Sequence, residues 1–183
     1  MYDKLGQRWK LRTYRTEGYA WSGSTWPNPA EQDRDETVWT YHAATGLLTA
    51  KTYADSSHVD YTYTLDGRLE TRIWARTISG NHPNTTYVYD EDTGELTGVE
   101  YRVGTSADAD TPNVSFTHDR LGRIATVTDA AGVRTMTYDA DTLQLVSEAI
   151  AGTGGLINRT ITRDYADSLD QSRARKEAVG LQL

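Results

Sequence analysis

The sequence predicts an all-β chain of repeated antiparallel β-hairpins forming a continuous, spirally wound twisted sheet. Three observations carry that prediction. A short unit recurs: an alternating strand ending in Tyr, a turn closing on Gly, then a return strand with an apolar residue two positions after the Gly. The composition suits half-buried pleated surfaces, with 12 Tyr, 5 Trp and 1 Phe against only 37% hydrophobic residues. Residues that favour turns, chiefly Gly, Pro, Asn and Asp, cluster between the strands.

The units follow one another along the chain. The first starts at Tyr2 and turns at Asp3–Gly6. The second alternates through Trp39 and Tyr41 and turns at Gly46. The third runs Tyr61, Tyr63, Asp66-Gly67, and the fourth Tyr87, Tyr89, Asp90 to Gly94. In the fifth His118 takes the Tyr position before Asp119 and Gly122. The sixth runs Met136, Tyr138, Asp139, with Leu143 where Gly is expected. Each first strand alternates large and polar residues, which is the strand period of two. In each turn an Asp carboxylate can accept local backbone N–H groups, and Gly supplies positive φ. The return strands then carry Leu48, Leu69, Leu96, Ile124 and Leu145.

Looser segments separate the units. Residues 79–86 and 104–113 are polar, contain Gly or Pro, and are expected to be loops. Tyr2 to Tyr41 is too long for one unit, so a repeat has decayed near Tyr14–Trp21 or residues 22–38 are an insertion. Pro27, Pro29 and their charged neighbours favour the insertion. Residues 163–183 read as a degenerate last repeat from Tyr165 or as a cap, with a short helix over 168–178 as the other possibility. The whole chain, 1–183, is thus expected to be a single segment of about six to seven repeats. It begins and ends inside repeats and carries no recognisable leader, as a piece of a longer protein does.

The spacing Tyr63…Asp66-Gly67-Arg68-Leu69 and His118-Asp119-Arg120-Leu121-Gly122-Arg123-Ile124 resembles the signature of the RHS or YD-repeat proteins. The longer form appears at Tyr89 to Leu96 and at Tyr41 to Leu48. His42 and Thr64 depart from the signature Asp, His118 from the Tyr and Leu143 from the Gly. The resemblance implies a stretch of β-shell from a large secreted or surface-attached bacterial protein. It also implies neighbouring repeats of the same long chain as partners, and a C-terminal toxin or effector enclosed by the shell. A carbohydrate-binding or adhesion module is the alternative. No segment matches the family's aspartyl autoprotease region, so self-cleavage is not carried over.

The chemistry-bearing residues fit a scaffold. Net charge is −7, which disfavours nucleic acid and an anionic membrane surface. No apolar run is long enough for a membrane helix. There is no Cys, and His42, His58, His82 and His118 share no metal-ligand spacing. Asp108/Asp110 and Asp90-Glu91-Asp92 lack the register of a calcium loop. Gly152 to Gly155 lacks the Lys-Ser/Thr of a phosphate loop. No cofactor, metal or catalytic group is therefore expected, and the chain is expected not to be an enzyme. Trp39, Tyr61, Tyr87 and Phe116 hold identical hairpin positions and are expected to stack across strands. Trp21, Trp26 and Trp74 lie off that position and are the candidate ligand surface. An excised sheet would also expose unpaired terminal strands, so self-association through its edges is expected.

Overall fold

Hairpin formation here begins in the turns. A side-chain acceptor after the strand-ending Tyr, followed by a residue at positive φ, reverses the chain within four or five residues. The computed structural model describes residues 1–14, 34–108, 110–155, 158–165 and 176–182. Fourteen strands follow in chain order. They are β1 (Lys10–Tyr14), β2 (Arg34–Tyr41), β3 (Leu48–Thr52), β4 (His58–Tyr63), β5 (Leu69–Ile73), β6 (Pro83–Tyr89) and β7 (Leu96–Val103). There follow β8 (Ser106–Ala107), β9 (Val114–His118), β10 (Ile124–Asp129), β11 (Gly132–Tyr138), β12 (Leu145–Gly152), β13 (Asn158–Tyr165) and β14 (Lys176–Gln182).

All belong to one antiparallel sheet in which sequence neighbours are sheet neighbours; β8 alone lies off that path, pairing with β7. The predicted fold class is therefore the observed one: all-β, hairpin after hairpin. Among the described residues there is no α-helix. Two compact units share this topology. The first comprises Met1–Thr86 and Arg102–Ser106, the second Tyr87–Tyr101 and Ala107–Leu183.

In the first unit β1 pairs with β2 from Lys10↔Val38 to Tyr14↔Arg34. Residues 34–38 are thus strand, although the sequence placed them in the insertion over 22–38. Their charges misled: Glu36 receives Lys10 at 2.6 Å and Arg12 at 2.9 Å across the strand pair. The rest of that insertion, with Trp21 and Trp26, lies outside the described residues. Residues 83–86 also form strand rather than loop, because Pro is compatible with the first position of a strand.

The second unit pairs β9 through β14 in the same manner. Tyr165 ends β13, and Lys176–Ala178, inside the range read as a possible helix, are strand. The remainder of that helix range lies outside the described residues. Thr153–Gly155 forms a single tight turn between β12 and β13.

A chain of this length can bury a core, yet among the described residues only Val59, at 2% exposure, is a fully buried apolar side chain. Thr85 is buried at 3%. Most of the other described strand side chains are half-buried, screened by their neighbours along the pleat.

Candidate functional site

The candidate site is the repeat junction itself, built from a capped turn, a bulge and a tyrosine that reaches the preceding hairpin. The cap comes first. Asp119 Oδ1 accepts the N–H groups of Leu121 at 2.8 Å and Arg123 at 3.0 Å, while Arg123 Nε donates to Oδ2 at 2.7 Å. Asp90 Oδ1 accepts from Asp92 and Thr93, and Asp139 Oδ1 from Asp141 and Thr142. Asp3 does the same for Leu5 and Gln7. These bonds favour the charged form. The Arg123 side chain holds the Asp119 carboxyl below its ordinary value, and the backbone N–H groups of Thr93 and Thr142 do so for Asp90 and Asp139.

The departures from Asp keep the same chemistry. Thr64 Oγ1 accepts the Arg68 N–H at 3.0 Å and also bonds the Asp66 carboxylate. His42 Nδ1 meets the Thr45 N–H at 3.3 Å and the Thr45 hydroxyl at 3.1 Å. What the position requires is a short-range acceptor, and a carboxylate is one of three ways to supply it. The Gly position is equally demanding. Gly6, Gly46, Gly67, Gly94 and Gly122 all have φ between 71° and 85°, and Leu143 has φ 62°.

The bulge was not visible in the sequence. Tyr41 pairs with Leu48, but Thr40 pairs with Ala50, leaving Thr49 as an extra residue. Tyr63↔Leu69 is followed by Thr62↔Thr71, and Tyr138↔Leu145 by Thr137↔Ser147. His118↔Ile124 and Tyr165↔Lys176 show the same slip. Each slip re-aims the return strand by one residue.

The tyrosine completes the junction. Tyr63 Oη donates to the Leu48 carbonyl at 2.9 Å, Tyr138 Oη to Ile124 at 2.9 Å, Tyr165 Oη to Leu145 at 2.9 Å, and Tyr41 Oη to Arg8 at 2.8 Å. In every case the acceptor lies two residues after the turn position of the preceding hairpin. Burial pushes the Tyr63 hydroxyl pKa up, with a smaller contribution from Tyr61. A second contact runs in step with the first. Gln7 Nε2 donates to the Gly46 carbonyl at 2.9 Å, and Arg123 Nη1 to the Leu143 carbonyl at 3.0 Å. Arg123 also lies 4.0 Å over the Tyr138 ring. Both donors follow the Gly of one turn and reach the Gly position of the next.

The remaining sequence candidates fall as follows. Tyr2 is 63% exposed and bridges Arg8 across its own turn. Tyr89 ends β6 beside the Asp90 turn, and its interactions are not exhausted by those named here. His118 places Nδ1 3.6 Å from Glu95 Oε2, with its side chain only 12% exposed. Trp74 Nε1 donates to the buried Thr85 hydroxyl at 3.0 Å, and the Arg72 guanidinium covers its ring at 3.6 Å. No group of His, Asp or Glu among the described residues is arranged to hold a metal ion. No described helix is long and apolar enough to cross a membrane.

No protein-family model matches the chain. No curated protein matches it either. Among solved structures it is similar to a crystal structure of TcdB2-TccC3, at 16% identity and a TM-score of 0.45 over 90% of this chain and 11% of that one. It is also similar to TcdB2-TccC3-Cdc42, at 17% identity and 0.43 over 90% and 10%. The Photorhabdus luminescens Tc holotoxin pore follows at 18% identity and 0.42 over 88% and 10%. The chain spans about a tenth of the length of the solved chains it matches.

Proposed function

We propose that this chain is a non-catalytic stretch of RHS/YD-repeat shell, a wall-building element of a larger secreted or surface bacterial protein that encloses a C-terminal toxin or effector. The observation that carries the reading is the recurring hydroxyl-to-carbonyl bond from four strand-ending tyrosines, Tyr41, Tyr63, Tyr138 and Tyr165, to the preceding hairpin. Such a bond serves extension. It ties unit to unit, tolerates change elsewhere, and has no partner until another hairpin is present. Asp119, Asp90, Asp139 and Thr64 are engaged in turn caps and Tyr41, Tyr63, Tyr138 and Tyr165 in hairpin junctions, which supports a structural role for the repeat signature.

Trp74 gives the carbohydrate alternative no support, since its N–H and one ring face are already engaged. The test is the encoding gene read to both ends. Further Tyr-turn-Gly units and a C-terminal effector region are expected. A reading frame confined to these residues would overturn the proposal, as would a hydrolase activity that survives purification and is lost on substituting one turn carboxylate.

A further inference from the structure

Although the chain is acidic overall, one face of the first unit is not. Trp39 pairs with Lys51 and Lys51 with Val59. Two residues further along β4, Tyr61 pairs with Arg72 and Arg72 with Thr85. Directly paired residues share a face, so these aromatic and cationic side chains lie together. Lys51 Nζ sits 5.4 Å from the Trp39 ring and 4.7 Å from Tyr53. Arg72 sits 3.6 Å from Trp74 and 5.9 Å from Tyr61. Arg8 also lies over the Trp39 ring, 5.6 Å from its centroid.

None of these three cations has a carboxylate partner among the described residues. Arg72 Nε is sealed from water without a hydrogen-bond partner. The acids of the same strands point elsewhere. Glu36 is held by Lys10 and Arg12, Asp60 by His58 at 3.3 Å, and Glu70 accepts from Thr62 at 3.3 Å. Asp35 shares the parity of Trp39 but is already engaged. Like charges gathered on one face repel unless an anion lies over them. Aromatic walls hold these in place, so little ordering remains to be done when one arrives.

We propose that this face of the first unit docks a carboxylate-rich polypeptide, through Arg8, Lys51 and Arg72. The arrangement selects against the other polyanions. A sugar ring needs a bare aromatic face, and here the cations lie over the rings. The net charge of −7 opposes every polyanion alike at long range, so the choice rests on short-range spacing: three cations held against rings do not track a closely spaced phosphate backbone. A polypeptide brings flexible carboxylates at wider spacing, matched to cations on alternate strands.

The experiment is calorimetric titration of the full chain with poly-L-glutamate of defined length, beside a heparin fragment and single-stranded DNA of similar charge. Saturable binding of polyglutamate is expected, loosened by added salt and weakened about tenfold or more by K51Q together with R72Q. K51R retains the charge and should keep the affinity. R134Q, in the second unit, removes a cation already paired with Glu148 at 3.4 Å and should leave binding unchanged. Circular dichroism on each variant separates lost binding from lost fold, and the salt series on the unaltered chain stands if the double variant does not fold. No saturable polyglutamate binding would overturn the proposal. So would undiminished binding by a folded double variant, or tighter binding of heparin or DNA than of polyglutamate.

Discussion

Tyr63 donates its hydroxyl to the carbonyl of Leu48 at 2.9 Å, so the end of β4 is fastened to the start of β3 in the preceding hairpin. The bond is a side-chain supplement to the backbone ladder, placed where the bulge interrupts it.

Removing the hydroxyl tests that role. Tyr63→Phe and Tyr138→Phe each delete one donor and keep the ring. Each should lower stability by about 0.5–1.5 kcal/mol, the usual net worth of such a bond. Urea unfolding reads the difference. Tyr2→Phe, at a tyrosine 63% exposed, should change stability by less than about 0.5 kcal/mol.

His118 offers the reciprocal experiment. Its ring lies against Glu95 where other repeats have the tyrosine bond. His118→Tyr should reach toward the carbonyl of Leu96, the position two residues after Gly94. A gain of about 0.5–1 kcal/mol in thermal or urea unfolding is expected. A loss of stability would mean that Glu95 cannot move aside.

The turn positions give a ranked series. Leu143 sits at φ 62°, and Leu143→Gly should stabilise by about 0.5–1 kcal/mol by relieving that conformation. Gly67→Val and Gly122→Val should each cost about 1–3 kcal/mol. Gly132→Ala should be the worst of the set. It has φ 141°, and a Cβ there would lie 2.1 Å from the Ala151 carbonyl oxygen in the paired strand. Backbone cannot yield as the tip of Glu95 can beside Gly122, so loss of the β11–β12 pairing is expected, seen as lost hydrogen-exchange protection.

Acid should loosen the chain. The folded-state pKa values of Asp66, Asp90, Asp119 and Asp139 all lie below their ordinary 3.8. A depressed carboxyl pKa contributes stability that is present above the unfolded value and lost as pH falls through the folded one. Thermal midpoints should therefore be flat near neutrality and fall below about pH 4. Asp119→Asn should make that fall shallower; an unchanged acid limb would sink the assignment of Asp119 as an ionised cap.

How much of this was legible depends on how local each device is. The turns were readable because their requirement is met within one short stretch, as Asp119 and Gly122 show. The bulges were not, because the extra residues Thr49, Glu70, Ala125, Val146 and Glu177 share no chemistry. The slip is fixed by pairing and leaves no residue signature. The start of β2 was hidden because Glu36 reads as loop-like until Lys10 and Arg12 stand opposite it. Trp74 was selected for lying off the repeat position. Its real constraint, the Thr85 hydroxyl, belongs to the neighbouring strand and appears only once β5 and β6 pair.

The tyrosine bonds all run in one direction along the chain. The donor always belongs to the later hairpin and the acceptor to the earlier one. A polypeptide leaving the ribosome presents its N-terminal part first. Each of these four tyrosines therefore emerges after its acceptor carbonyl has been synthesised, and none has to wait for a partner still to come. Growth in that order leaves only the newest strand open at the growing edge, with β1 remaining the edge at the other end, a vectorial assembly ordered by which member of each pair carries the hydroxyl.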